Sequence, residues 1–502
     1  MLFIELPPEI LLGIVALLEL TDIARIRQSC RRLRDVAQDR TVWSSHLAQQ
    51  RLLYPVPPWF TFSGTTPVAE VENAVVSTHR VAQAWPRRRR EPFKVKPTMG
   101  TMLIALEMFL DRWLLLVYGD GSLHLWDTAF ESLDSDSRYK VCAELIDKTA
   151  DISQPVWVTC SAQVSDDGQK LIVLLNGPSR HAFCSVYEVA LRPNASFQLI
   201  ARGRVSTSAI SRTTSIVNNI IILSRGSKII LVDISENPRR DPRRDLLVLS
   251  SFSNELEDEW NGAIEIRVFD RYMFAFKARC IEVHNMDDLL ASTETKITLT
   301  PISERIFRSV TFRDAKYSTP TITFDNGQLE IKFEAFANDV LAGLFHYEIH
   351  FQRRETHPPI FDVTLLHIYP LADHVVNKHW LPLTPELITP SPTPTNEYAN
   401  AFRPTNLSAK GFLTTFTIGS NAKRAVWVER VRGSTVREIH VWENSSVFGD
   451  RDLNGEIESY PVYTIASLDL REDVTRCALS ESTGLIVWGN RAGDLYFLDV
   501  DI

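Results

Sequence analysis

Residues 6–47 read LPPEILLGIVALLELTDIARIRQSCRRLRDVAQDRTVWSSHL, and the rest of the chain is organised around them. Pro8 suits the first position of a helix, where the N–H that proline lacks would have no helical partner. Ile10, Leu11, Ile14, Leu17 and Leu18 follow at spacings that gather them on one helical face. Thr21 fits as the N-cap of a second helix, with Asp22 set against the helix dipole. Ile23, Ile26, Leu33 and Val36 carry that second period, with a break near Ser29–Cys30, and Val42–Trp43 start a third short helix. Three short helices of about 40 residues cannot cover these side chains by themselves, so the unit needs a partner.

Taken in order, Leu6-Pro7-Pro8-Glu9-Ile10-Leu11, Ile14, Leu17, Leu20, Asp22, Ile26, Cys30-Arg31-Arg32-Leu33 and Trp43 resemble the F-box. Two positions depart from that family's pattern: Ser29 stands where valine is common, and Leu33 where tryptophan or phenylalanine is common. The resemblance implies docking onto a Skp-type adaptor and, through it, a cullin in an SCF-type ubiquitin ligase. The adaptor-binding residues it implies are Leu6, Pro7, Pro8, Glu9, Ile10, Leu11, Ile14, Leu17, Leu18, Ile26, Cys30, Leu33 and Trp43. Arg25, Arg27, Arg31, Arg32 and Arg34 line the polar side, suited to encounter with an acidic partner surface.

The 502 residues suggest more than one unit, and 44% hydrophobic with 23% charged residues is a globular composition. A formal net charge of −8 argues against a general nucleic-acid or anionic-membrane binder. The six cysteines are Cys30, Cys142, Cys160, Cys184, Cys280 and Cys477, with no C-x-x-C pair, which fits a reducing compartment and no zinc site. The apolar run from Ile10 to Leu18 has acidic rather than basic flanks, unlike a secretory signal, and no apolar stretch approaches the ~20 residues that span a bilayer. These features predict an intracellular protein, cytoplasmic or nuclear. The sequons at Asn194, Asn406 and Asn444 are then chance matches.

Three units are expected: the F-box over 1–48, a Pro/Arg-rich linker over 49–100 that packs between the domains, and a large all-β region over 101–502. The linker holds Pro55, Pro57, Pro58 and then Arg87–Arg90, read as a solvated charge run ahead of a nuclear-localisation or phosphate-contacting cluster, with a stretch suited to supply an outer strand. Beyond it, short apolar runs alternate with Gly, Asn and Asp turns. Leu114 to Asp127, Ile220 to Asp233 and Leu485 to Asp499 repeat one order: an apolar run, a Gly turn, and a strand that ends in Asp. A strand and turn leading into an apolar strand repeat as well, Cys160 to Gly168 before Leu171 and Cys477 to Gly484 before Leu485, with weaker copies around 270–285, 321–350 and 424–442.

Repeats at a period of roughly 40–50 residues resemble WD-type β-propeller blades. The resemblance implies about seven blades, and a pair of β-sandwiches is the alternative architecture. A charged loop at 237–244 and a Pro/Thr/Ser-rich stretch at 381–404 read as insertions.

No nucleophile elbow, phosphate-cradling loop or H-E-x-x-H is present. His346, Glu348 and His350 share a face if their segment is a strand, which outward polar residues explain better than a metal. No catalytic residue, metal or cofactor is expected. The reading is a non-catalytic substrate receptor whose propeller recruits a protein substrate, phosphorylated or not; the alternative is an F-box/propeller scaffold acting outside ubiquitylation. Substrate-binding residues are not assigned, because spacing does not place Arg225, Arg279 and Arg491 on a common rim.

Overall fold

Helix boundaries follow local chemistry closely in the first fifty residues. α1 (Pro8–Val15) starts at Pro8 with Pro7 as its N-cap. α2 (Leu20–Ser29) and α3 (Arg31–Ala37) are divided at Cys30, whose φ of −157° and ψ of 163° are extended, so the expected break falls there. Thr21 lies inside α2 instead of capping it. The helix begins at Leu20 behind Glu19, which brings Leu20 against the helical core. α4 (Arg40–Leu53) is capped by Asp39, whose carboxylate accepts the Thr41 N–H at 2.8 Å. A fifth helix, α5 (Val68–Ala84), occupies the stretch read as linker.

The computed structural model describes residues 6–58, 60, 62–96, 102–129, 139–146, 159–165, 167–176, 183–204, 214–217, 220–226, 228–233, 261–287, 300–325, 327–354, 357–369, 371, 373–374, 409–430, 435–444 and 459–500. The insertions at 237–244 and 381–404 lie outside the described residues.

After β1 (Phe93–Val95), the strands form successive antiparallel sheets. The first holds β2 (Leu103–Phe109), β3 (Trp113–Tyr118), β4 (Ser122–Asp127) and β5 (Lys140–Ile146). The second holds β6 (Thr159–Val164), β7 (Lys170–Asn176), β8 (Phe183–Ala190) and β9 (Phe197–Arg204). The third holds β10 (Thr214–Val217), β11 (Ile220–Arg225) and β12 (Lys228–Asp233). The fourth holds β13 (Ala263–Phe269), β14 (Tyr272–Lys277), β15 (Cys280–Asn285) and β16 (Ser303–Ile306).

The fifth runs β17 (Phe312–Tyr317), β19 (Gln328–Asp339), β20 (Gly343–Arg354) and β21 (His357–Tyr369), with β18 (Thr321–Asp325) paired to the far end of β19. A two-stranded ladder, β22 (Asp373–His374) with β23 (Ala409–Lys410), leads to the sixth sheet. That sheet holds β24 (Phe412–Ile418), β25 (Arg424–Arg430), β26 (Val436–Glu443) and β27 (Tyr460–Ala466). The last holds β28 (Val474–Leu479), β29 (Ile486–Asn490) and β30 (Leu495–Leu498).

The sheets close into a ring. β2 touches β6, β6 touches β10, and the succession continues through β13, β17, β24 and β28 back to β2. Period-2 alternation explains why. Leu115 and Val117 of β3 pack toward the second sheet, while Leu114 and Leu116 pack toward the last, so both faces of one strand are apolar and only neighbouring sheets cover them. The repeat segments noted in the sequence fall on β3–β4, β11–β12 and β29–β30, the second and third strands of their sheets. The expected all-α segment followed by a propeller-like all-β region is the observed architecture.

Closure uses both ends of the β region. β1 pairs with β30, placing Phe93 opposite Phe497, so an N-terminal strand completes the C-terminal sheet. Between the first and last sheets, the buried Asp111 carboxylate accepts the N–H groups of Glu481 and Ser482, each at 2.9 Å. Glu481 in turn accepts N–H groups of Asn421 (2.7 Å), Lys423 (2.7 Å) and Arg424 (3.0 Å) from the sixth sheet. Three sheets are tied through two buried carboxylates.

Two outcomes are expected. A Cβ on Gly419 would sit 2.2 Å from Glu481 Cδ, so Gly419→Ala costs about 1–3 kcal/mol in denaturant unfolding; an unchanged midpoint would remove this packing constraint. Burial and the neighbouring Asp111 carboxylate push the Glu481 carboxyl up from its ordinary 4.5 to about 7. A carboxyl with a raised folded pKa holds its proton better when folded. Its contribution therefore favours the fold at low pH and is lost as pH rises from 4.5 through about 7. Unfolding free energy should decline across that window and decline less steeply in Glu481→Gln; an equal slope in both proteins would refute the assignment.

Candidate docking surfaces

The helical unit sorts its predicted residues into two layers. Leu11, Leu33 and Trp43 are buried within the chain's own core, at 0%, 6% and 2% exposure, so they shape the surface from behind. The Trp43 indole N–H donates to the Ala37 carbonyl at 2.9 Å, which fixes the ring under α3. Pro7, Pro8 and Glu9 are exposed, as are Ile10 at 52% and Leu17 at 82%. Leu6, Ile14, Leu18, Ile26 and Cys30 are half-buried between the layers. The sequence period gathered buried and exposed residues into one stripe. It could not show that α4 and α5 cover one side of that stripe with Val42, Leu47, Val71 and Val75.

The arginines divide likewise. Arg27 pairs with Glu72 of α5 and lies 5.8 Å from the Trp43 ring centroid, so it holds the helices together. Arg32 donates to the Leu6 carbonyl at 2.9 Å, and Arg34 to the Arg27 carbonyl at 3.2 Å. Arg25 forms an exposed pair with Asp22 at 2.7 Å.

The helices are fastened to one face of the ring, the face carrying the turns between first and second strands. α5 contributes Val71 and Val75 to the helical core at one end, and Val81 and Ala84 to the core between the sixth and last sheets at the other. Trp85 follows directly. Its indole N–H donates to the Trp442 carbonyl at 3.3 Å, and Arg89 and Arg424 lie 5.0 and 4.8 Å from its ring. Arg89 is buried and donates to the carbonyls of Gly484 (2.7 Å) and Leu498 (3.0 Å), so the arginine run of 87–90 is not uniformly solvated.

Lys423, in the β24–β25 turn, donates to the carbonyls of Arg51 (2.9 Å) and Leu52 (2.6 Å) at the end of α4. There the unpaired carbonyls of a helix end attract a cation. A 260 Å³ cavity at this joint is lined by Arg51, Tyr54, Pro57, Phe60 and Asn421 among others. It is a seam between units.

Catalytic and metal candidates resolve into structural pairs. His346 Nε2 and Glu334 lie 2.5 Å apart, and His350 Nε2 and Glu330 2.7 Å apart, across β19 and β20. Among the described residues no group of three or more His, Cys, Asp or Glu side chains could hold a metal. Burial pushes the thiols of Cys184, Cys280 and Cys477 up to about 12, so they stay protonated. Lys277, Glu282 and His284 form a buried triad, with Glu282 2.7 Å from Lys277 Nζ and 3.1 Å from His284 Nε2. Both charges are compensated where water is excluded.

On the opposite face lie the described turns between second and third strands and the described connections between sheets. Arg279 and Arg491 fall in second-to-third-strand turns and Arg225 ends β11 beside another, so these positions share that face.

Comparison with known proteins agrees with the helical reading: the F-box-like family model matches residues 3–49, and this segment is an F-box-like domain. No curated protein matches the chain. Among solved structures, the chain is similar to the Myceliophteria thermophila Cps50 (Swd1) beta-propeller domain, with 12% identity and TM-score 0.47, covering 82% of this chain and 99% of that one. It is similar to the C-terminal WD40 domain of Sif2 at 9% identity and TM-score 0.43, covering 83% and 99%. The WD40 beta propeller domain of Doa1 follows at 10% identity and TM-score 0.38, covering 82% and 96%. These likenesses concern fold alone. No described helix is long and apolar enough to cross a membrane.

The joint makes its own prediction. Trp85→Ala should destabilise the chain by about 3–5 kcal/mol and expose the α5 region to limited proteolysis before the ring unfolds. Simultaneous loss of both units at the wild-type midpoint would show that Trp85 does not carry the joint.

Proposed function

We propose that this chain is the substrate-receptor subunit of an SCF-type ubiquitin ligase. The observation that carries the reading is the uncovered apolar strip of Pro7, Pro8, Ile10 and Leu17 on an F-box-like domain whose inner residues are already packed. A side chain such as Leu17, 82% exposed, gains roughly 1.5–3 kcal/mol on full burial against a partner. The Skp-type adaptor takes this strip, and a cullin follows through the adaptor.

The α5–Trp85 joint then sets the geometry. It fixes the adaptor-binding strip on one side of the ring and leaves the opposite loop face for a protein substrate. The chain contributes proximity, and another enzyme forms and breaks the bonds.

Co-purification tests the reading. Replacing Leu6, Pro7 and Pro8 together with Ala, or Leu17→Asp alone, should abolish recovery of the adaptor while the melting profile is kept. Undiminished recovery would sink the site assignment. Cullin recovered with the adaptor distinguishes a ligase receptor from an adaptor-bound scaffold.

A further inference from the structure

We infer that the ring face opposite the helices docks an Asp/Glu-rich segment of a partner protein through Arg279, Arg308, Arg313, Arg430 and Arg491; the inference rests on the receptor reading and names the chemistry of its substrate. The first three come together on the fourth and fifth sheets. The Phe307 N–H donates to the Arg279 carbonyl at 2.7 Å and the Phe312 N–H to the Ala278 carbonyl at 2.8 Å, which lays the 307–312 connection on the β14–β15 turn. Arg279, Arg308 and Arg313 are exposed, and their side chains make no hydrogen bond or ion pair with any described residue. The carboxylate nearby in sequence register, Asp339, is committed to the N–H groups of Thr311, Leu341 and Ala342 at 2.8–2.9 Å.

The second group sits on the sixth and last sheets, where three guanidinium groups meet one carboxylate. Arg437, 1% exposed, donates to Asp473 at 2.7 Å and to the carbonyls of Thr435 (2.9 Å) and Ser467 (3.0 Å). Its fork is filled. Arg430 reaches the same Asp473 only at 3.4 Å, and Arg491, 55% exposed, only at 3.7 Å. Both therefore keep donors directed away from Asp473. Two other acids of this face are already matched, Asp469 with Arg471 at 3.2 Å and Asp494 with Lys94 at 2.7 Å. Glu472, half-buried in the same connection, forms no ion pair with a described residue.

Among the described residues of these sheets, guanidinium groups without a close carboxylate are thus in excess on this face, in a chain whose net charge is −8. Loosely held guanidinium groups anchored beside a filled one are preorganised for further carboxylates. Two features select a run of Asp and Glu over a single compact dianion. The arginines are distributed over four sheets, and the anion this face already holds in a fork is a carboxylate. The acidic balance of the whole chain disfavours nucleic acid.

The test uses the full-length chain bound to its adaptor and a fluorescein-labelled hexaglutamate peptide, read by anisotropy at low and physiological salt. Parallel arms carry a singly phosphorylated serine peptide without Asp or Glu, and a single-stranded oligonucleotide. Arg430→Gln/Arg491→Gln and Arg279→Gln/Arg308→Gln should each weaken hexaglutamate binding about tenfold, with melting profile and adaptor recovery unchanged. Unchanged affinity in both double variants, or absent binding by the parent chain at low salt, overturns the inference. So does tighter binding of the phosphopeptide or oligonucleotide than of hexaglutamate. Peptide binding that persists while adaptor recovery fails would strike the receptor reading alone.

Discussion

Every sheet in this ring is apolar on both faces, and that single constraint governs the rest. Buried strands such as β3 send alternate residues into two different cores, so an isolated sheet would leave one face in water. The ring must close. It closes where β1 completes the last sheet and where Asp111 and Glu481 bind backbone N–H groups across three sheets. Burying two carboxylates there is costly, and the N–H groups that converge on them offset that cost.

Closure by an N-terminal strand explains the position of the helical unit. β1 must reach β30, so the chain before it runs along the seam between the sixth and last sheets, and Trp85 and Arg89 fill that seam. α5 carries the connection outward, with one end in each core. The F-box-like domain is therefore fixed to the ring by packed side chains and buried hydrogen bonds.

That geometry separates two kinds of surface. The helical side presents apolar side chains, Ile10 and Leu17, which favour a stable interface by burial. The far side presents guanidinium groups, which favour fast, salt-sensitive capture of an acidic segment. A stable attachment on one side and an exchangeable contact on the other are what the proposed receptor role requires.

The local sequence determined much of this. Pro8 starts α1, Cys30 breaks α2 from α3, and the Gly-turn repeats mark the second and third strands of their sheets. Those features depend on backbone chemistry and short-range periodicity, which neighbouring residues carry. Tertiary structure alone decided three others. Ile10 and Leu11 are adjacent on one helix, yet one is half in water and the other fully covered, because burial depends on what lies across from each. α5 was hidden in a Pro- and Arg-rich stretch because its anchors, Val71 and Trp85, belong to cores built from distant segments. The arginines of the loop face are separated by up to some two hundred residues, from Arg279 to Arg491, and share a face only because an antiparallel sheet returns every second turn to the same side.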